Sequence, residues 1–370
     1  MHIEDMIKPG IRNIPPYIPG RAAESMLRPG VTEILQLGSN ENQLGTSPMA
    51  VAAMQKAIRL ANCYPDPFCA GIRAKIGELY GFKEEPESHV IISAGEIGAL
   101  RLIGDVFLMP EDEVVYCTPS YDIYDIMTAR NDAKAVKLPL DKDQLFDLDA
   151  MTQAVNERTK LVIVCNPNNP SSTAVDAGAL RHFIRQMPKH VVTVVDEAYI
   201  EFADNPESLS MVTEIAEDVN LIVLRTFSKM YGLAGARIAY GLMNKEMHNV
   251  LQRSTDVFVV SRDALAGAEA ALDDREFVER SRMTVVEGRS YLTTEFETMG
   301  MIVFPSQANF VYVDTGYDTA QLARACLPQG LIIRGNFQYS RITIGTDHQN
   351  RRLVEIIREV IASGEVSKNR

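Results

Sequence analysis

From Val90 onward the chain alternates short apolar runs with longer amphipathic stretches. The runs 90–93, 114–117, 161–165, 191–195, 221–224 and 238–241 are nearly unbroken and rich in β-branched residues, a pattern that fits strands buried on both faces. They predict a parallel or mostly parallel sheet covered by helices. The first forty residues carry Pro9, Gly10, Pro15, Pro16, Pro19, Gly20, Pro29 and Gly30, which break regular elements and predict an extended arm. Ser47-Pro48 sets a capping serine before a proline at the first helical position, so a helix is expected over 49–60. After a long helical stretch at 277–299, the runs 308–313, 331–333 and 341–344 read as strands and 350–363 as a closing amphipathic helix. The expected fold class is α/β: a large domain with a mostly parallel sheet sandwiched by helices, plus a smaller α+β domain. The expected division is an N-terminal arm over 1–45 joining the small domain, a large domain over 46–275 and a small domain over 276–370.

Composition narrows the class without changing this picture. A chain of 370 residues with 46% hydrophobic and 23% charged residues suits an ordinary globular protein of two domains. Its 37 basic against 49 acidic residues leave a formal charge of −12, which disfavours nucleic acid and anionic membranes as partners. The cysteines Cys63, Cys69, Cys117, Cys165 and Cys326 form no CxxC pair, and the histidines show no ligand spacing, so neither a disulfide framework nor a metal is expected. No apolar leader and no run of 18 apolar residues is present, which together predict a reduced, cytoplasmic, soluble protein. GxGxxG, P-loop and GxSxG motifs are also missing.

In open α/β sheets ligands collect at the carboxyl ends of the strands. Here run 161–165 ends in Asn166-Pro167-Asn168-Asn169-Pro170, run 191–195 in Asp196-Glu197-Ala198-Tyr199, and run 221–224 in Arg225-Thr226-Phe227-Ser228-Lys229. An asparagine, an aspartate with a tyrosine, and a lysine thus converge on one sheet edge. That set meets the needs of pyridoxal 5'-phosphate: a lysine amine for the Schiff base, a carboxylate for the ring nitrogen, and donors to the phenolate oxygen. Lys229, Asp196, and the pair Asn169 and Tyr199 fill these roles in that order. For the phosphate, Thr226, Ser228 and Arg237 lie around the lysine, and Ala94-Gly95-Glu96 opens a helix after run 90–93. Tyr121, just after run 114–117, can stack on the ring.

The chain resembles the fold type I pyridoxal-phosphate-dependent aminotransferases and, within them, the histidinol-phosphate aminotransferase group. The likeness spans nearly the whole chain. It rests on Tyr17-Ile18-Pro19-Gly20, Ser39-Asn40-Glu41-Asn42, Tyr64-Pro65-Asp66, the asparagine, aspartate and lysine motifs above with Ser228 to Arg237, Ala308-Asn309-Phe310, and Arg341-Ile342-Thr343-Ile344-Gly345-Thr346. The resemblance implies a homodimer with a shared active site in which Tyr64 reaches the partner's cofactor phosphate. It implies small-molecule amine and 2-oxo acid substrates, with Arg341 on the substrate's terminal anion aided by Arg334 and Tyr17, and Asn42 close by. Relatives on this scaffold also decarboxylate or racemise amino acids, and those outcomes stay open here. A catalytically silent binding module would often dispense with the lysine, and the S-x-x-K reading of 226–229 lacks its partner motifs.

Departures from the group's pattern bear on the substrate. Pro170-Ser171-Ser172 replaces Pro-Thr-Gly, Val260-Ser261-Arg262-Asp263 replaces an asparagine-containing stretch, Gly95 stands where an acidic residue is common, and Gln43 replaces a proline. Arg262 is a candidate second clamp for a dicarboxylate or a phosphoamino acid.

Overall fold

The computed structural model describes residues 2–12, 14 and 33–369. Twelve strands run in chain order: β1 (Leu35–Gln36), β2 (Val90–Ser93), β3 (Glu113–Thr118), β4 (Lys134–Pro139), β5 (Thr159–Cys165), β6 (Val192–Asp196), β7 (Leu221–Thr226), β8 (Ala239–Leu242), β9 (Ile302–Val303), β10 (Phe310–Asp314), β11 (Leu331–Ile332) and β12 (Ser340–Thr343). Seven of them form one sheet in the order β2-β8-β7-β6-β5-β3-β4. Only β8 runs antiparallel to its neighbours, and β3 to β7 pair in parallel. Strands β5, β6 and β7 are buried almost throughout, so their apolar faces are both covered by helices.

In the large sheet the apolar-run pattern missed β4, and outside it the two-residue strands β1 and β9. Strand β4 is the longest of the three. It reads Lys134-Ala135-Val136-Lys137-Leu138-Pro139, half exposed at the sheet's edge. An edge strand keeps one polar row and tolerates Pro139 because it lacks a second ladder partner. The expected helix after Ser47 is Pro48–Ala57. Ser47 caps it by accepting from Ala50 N, and its hydroxyl donates to Asp274 at 2.6 Å. Asp274 in turn caps the long helix Arg275–Thr298, so one carboxylate ties two helix starts together.

The smaller sheets follow the second group of runs. Strand β10 lies between β9 and β12, antiparallel to both. Strand β11 pairs instead with β1, in parallel, which stitches the 35–36 segment to the C-terminal part of the chain. Further upstream, Gly10 N donates to Asp132 Oδ1 at 2.7 Å, so residues near position 10 rest against the large sheet's helical layer. Among the described residues no helix is long and apolar enough to cross a membrane.

Candidate active site

The carboxyl ends of β5, β6 and β7 open into a cavity of about 240 Å³ whose walls include Glu96, Tyr121, Asn169, Asp196, Tyr199, Lys229, Arg334 and Arg341. Each of these was expected from the sequence. A roomier cleft of about 540 Å³, between Asp143, Asp176, Asp204 and Phe304, has carboxylates in its walls but no lysine, so it offers no amine chemistry.

Lys229 is held by the turn that follows β7. Gly232 N donates to Lys229 O at 3.2 Å, and Ser47 N to Tyr231 O at 3.3 Å. The chain passes so closely that a Cβ at Gly232, where φ is +65°, would meet Gly45 O at 2.0 Å; only glycine allows this approach. Asn42 fastens the same turn, its amide donating to Met230 O at 2.8 Å and Ser281 Oγ at 3.0 Å while its Oδ1 accepts from Leu44 N. Asn42 thus positions the lysine turn, a role beside the substrate contact expected of it from the sequence. The Lys229 amine donates to Ser39 O at 3.3 Å and lies 5.6 Å from the Tyr199 ring centre. Burial, then the Arg341 charge, lower its pKa to about 8 against the opposing pull of Glu96 and Glu41. A neutral amine, the nucleophilic form, is therefore accessible near physiological pH.

Asp196 closes β6 and is buried. Its Oδ2 accepts from Tyr124 OH at 2.5 Å and its Oδ1 from Ala198 N at 3.1 Å. Tyr124 is a site residue that the sequence reading did not single out. The signal lay in its spacing: it follows Tyr121 by three residues, its N donating to Tyr121 O at 3.1 Å, and their rings meet edge to face at 5.8 Å. Tyr199 accepts from Asn40 Nδ2 at 3.2 Å, and burial pushes its phenol up. Asn40 was also unassigned, although it belongs to a quoted motif. Its left-handed φ of 55° and its contacts with Thr343 and Asn309 make it the link between the N-terminal segment and the small sheets.

Arg334 and Arg341 face one another across an antiparallel bridge. Both donate to Gly38 O, at 3.1 and 2.7 Å. Arg341 Nη1 also donates to Asn169 Oδ1 at 2.5 Å, which orients the amide so that the Asn169 Nδ2 donor is left for another acceptor.

A patch of polar and cationic groups adjoins the cavity. Thr226 and Ser228 are buried, their hydroxyls 3.0 Å apart, and Ser228 N donates to Thr226 Oγ1 at 3.1 Å. Arg237 Nη1 donates to Ala234 O at 2.8 Å. Its Nη2 lies only 2.2 Å from where a Cβ of Gly95 would be, at φ +70°. The glycine at this unusual position thus admits the guanidinium to the first turn of helix Gly95–Phe107, beside Ala94, where free backbone N–H groups and the helix dipole favour an anion.

Two expected residues do not face this cavity. Tyr64 is 78% exposed and stacks on Phe258 with ring centres 4.5 Å apart. Arg262 donates to the Tyr64 carbonyl, so within the protomer it braces that loop. Tyr17 lies outside the described residues.

An amine beside a buried carboxylate, an amide donor, an aromatic wall and an anion cup fit pyridoxal phosphate on this chain's own geometry. The cradle at Gly95 and the donor set at Asn169 and Tyr199 carry that fit. The family model for aminotransferase class I and II matches residues 32–357. The chain belongs to the class I and II aminotransferases. Among aminotransferases it is 38% identical to the histidinol-phosphate aminotransferase of Moorella thermoacetica over 361 residues, covering 95% of this chain and 92% of that one. It is 38% identical over 360 residues to the protein of the same name from Brevibacillus brevis, covering 96% and 98%. The crystal structure of the Sinorhizobium meliloti histidinol-phosphate aminotransferase in complex with pyridoxal 5'-phosphate superposes with a TM-score of 0.88 at 27% identity, over 96% of this aminotransferase and 98% of that chain.

Proposed function

We propose that this aminotransferase moves the amino group of histidinol phosphate, or of a closely related anionic amine, to a 2-oxo acid. The single observation that carries the reading is the buried Lys229 amine, with its pKa lowered to about 8, in one cavity with Asp196 and the paired Arg334 and Arg341. Bound pyridoxal phosphate supplies a carbonyl carbon that takes up the amino group and a conjugated ring that spreads negative charge. Lys229 Nζ moves the proton to and from the substrate's α-carbon. Asp196 holds the proton at the ring nitrogen, and Tyr124 and Ala198 N keep that carboxylate aimed. Asn169 Nδ2 and the Tyr199 hydroxyl serve the phenolate oxygen, Tyr121 covers the ring face, and Thr226, Ser228, Arg237 and the Gly95 turn hold the phosphate. The guanidinium pair takes the substrate's far anion, since a planar fork suits phosphate or carboxylate bidentately.

The same reading includes a homodimer. Tyr64, Phe68, Val257 and Phe258 are large and exposed; Tyr64 stacks on Phe258, and Phe68 and Val257 line one hollow, a patch that fits a second copy of the chain and would carry Tyr64 to the partner's phosphate cup. The deciding experiment is a panel of amines with and without a distal phosphate or carboxylate, each offered with pyridoxal phosphate and a 2-oxo acid. Turnover of histidinol phosphate far above histidinol is the expected result. Equal turnover of the two would remove the anion from the reading, and carbon dioxide release without need of a 2-oxo acid would replace transamination by decarboxylation.

A further inference from the structure

One polar atom in the cavity is left over by this account. Glu96 Oε1 is shut off from solvent and has no hydrogen-bond partner, yet Glu96 stands within hydrogen-bonding reach of Asp196. Two ionised carboxylates are both pure acceptors, so facing each other they leave the buried oxygen without a donor and set two like charges side by side. A single proton between them resolves both problems. Asp196 can accept it, because Tyr124 OH and Ala198 N occupy only two of its roughly four lone-pair sites.

The surroundings of Glu96 decide which way the balance falls. Asp196 faces it from β6, Tyr121 and Tyr124 from the stretch after β3, Cys165 from the end of β5, and Tyr199 from beyond β6. Lys229 and Arg237, from the segment between β7 and β8, favour its charged form, as does the first turn of its own helix. Burial and Asp196 outweigh these and push the Glu96 carboxyl well above the usual glutamate range. Of the two cations, Arg237 is the one that a bound phosphate would engage, which weakens its pull on Glu96 further.

We propose that Glu96 works as a neutral carboxylic acid whose hydroxyl donates to Asp196, a positioning residue that aims that carboxylate at the cofactor's ring nitrogen. The role in catalysis rests on the aminotransferase reading above. The protonation state and the contact do not, so they are tested without turnover.

The test is infrared difference spectroscopy at neutral pH on the full chain loaded with pyridoxal phosphate, parent against Glu96→Gln and Asp196→Asn. The parent is expected to show the C=O stretch of a protonated carboxyl that is lost in Glu96→Gln. In Asp196→Asn the band is expected to move to higher frequency, because the acceptor loses its charge and the hydrogen bond weakens. A melting series checks the same proton. The folded chain keeps it while the unfolded chain releases it above the ordinary glutamate range, so rising pH favours unfolding of the parent but not of Glu96→Gln. The melting temperature of the variant should therefore gain on that of the parent as pH rises from about 5 to about 8. Absence of the band, its survival in Glu96→Gln, its failure to move in Asp196→Asn, or a melting difference constant with pH would each overturn the proposal. None of these results depends on whether histidinol phosphate is the substrate.

Discussion

The two halves of the cavity are built in different ways. The cofactor half comes from residues a few positions beyond the ends of adjacent parallel strands: Asn169 after β5, Asp196 at the end of β6 and Lys229 after β7. Its geometry is inherited from the register of the sheet, in which Cys165 pairs with Asp196 and Asp196 with Leu224. The half proposed to take the substrate, the substrate half, is assembled from the ends of the chain. Gly38 O receives Arg341 from 303 positions away, and Thr343 and Asn309 hold the Asn40 turn. Rigid, buried central strands keep reacting groups in place at little further entropic cost, whereas a crossing made by loops and short strands leaves substrate contacts free to differ between relatives.

The comparison is broken most severely at Lys229. Lys229→Ala should lower kcat by several orders of magnitude, since among the described residues no other amine lines the cavity to move the proton; single-turnover conversion of a bound amine measures it. In the parent without cofactor, capture of Lys229 by a small aldehyde should accelerate as pH rises through about 8, because the lowered pKa frees the amine there. Acceleration only near pH 10 would mean that the cavity does not desolvate it.

The substrate half should fail more gently. Arg341→Ala should cost about 2–4 kcal/mol in kcat/KM for a phosphorylated amine, mostly through KM, and much less for a neutral one. A loss within twofold would show that this half does not read an anion. Within the cofactor half, Tyr124→Phe removes one donor from Asp196. A charge-assisted hydrogen bond of this kind is worth about 1.5–3 kcal/mol, and the loss should appear in kcat with KM nearly unchanged.

The smallest effect sharpens the contrast where the halves meet. Ser172 adopts φ 63° with no exposed surface, its hydroxyl has no partner, and its carbonyl accepts from Gln307 N at 2.8 Å. Ser172→Gly should raise stability by about 1 kcal/mol, relieving a left-handed side chain and an unsatisfied hydroxyl. A lower melting temperature would show that the serine contributes something the folded contacts do not reveal.

Much of the molecule was legible in the order of its residues. Continuous β-branched runs announce buried parallel strands because burial on both faces removes the polar alternation, and the residues after such runs announce the ligand edge because the strands share one direction. That is why Lys229, Asp196, Asn169, Tyr199 and Tyr121 could be named from the chain alone, and why β4, whose polar row faces water, could not. Tertiary structure alone decided what depends on pairs distant in sequence: that Asn42 serves the lysine turn, that Arg262 holds Tyr64, that Gly95 makes room for Arg237, and that Glu96 meets Asp196. Local pattern records how each segment buries its own surface. A buried polar atom finds its partner only when the whole chain has closed around it, and the choice among partners is made by desolvation and distance, which sequence spacing does not encode.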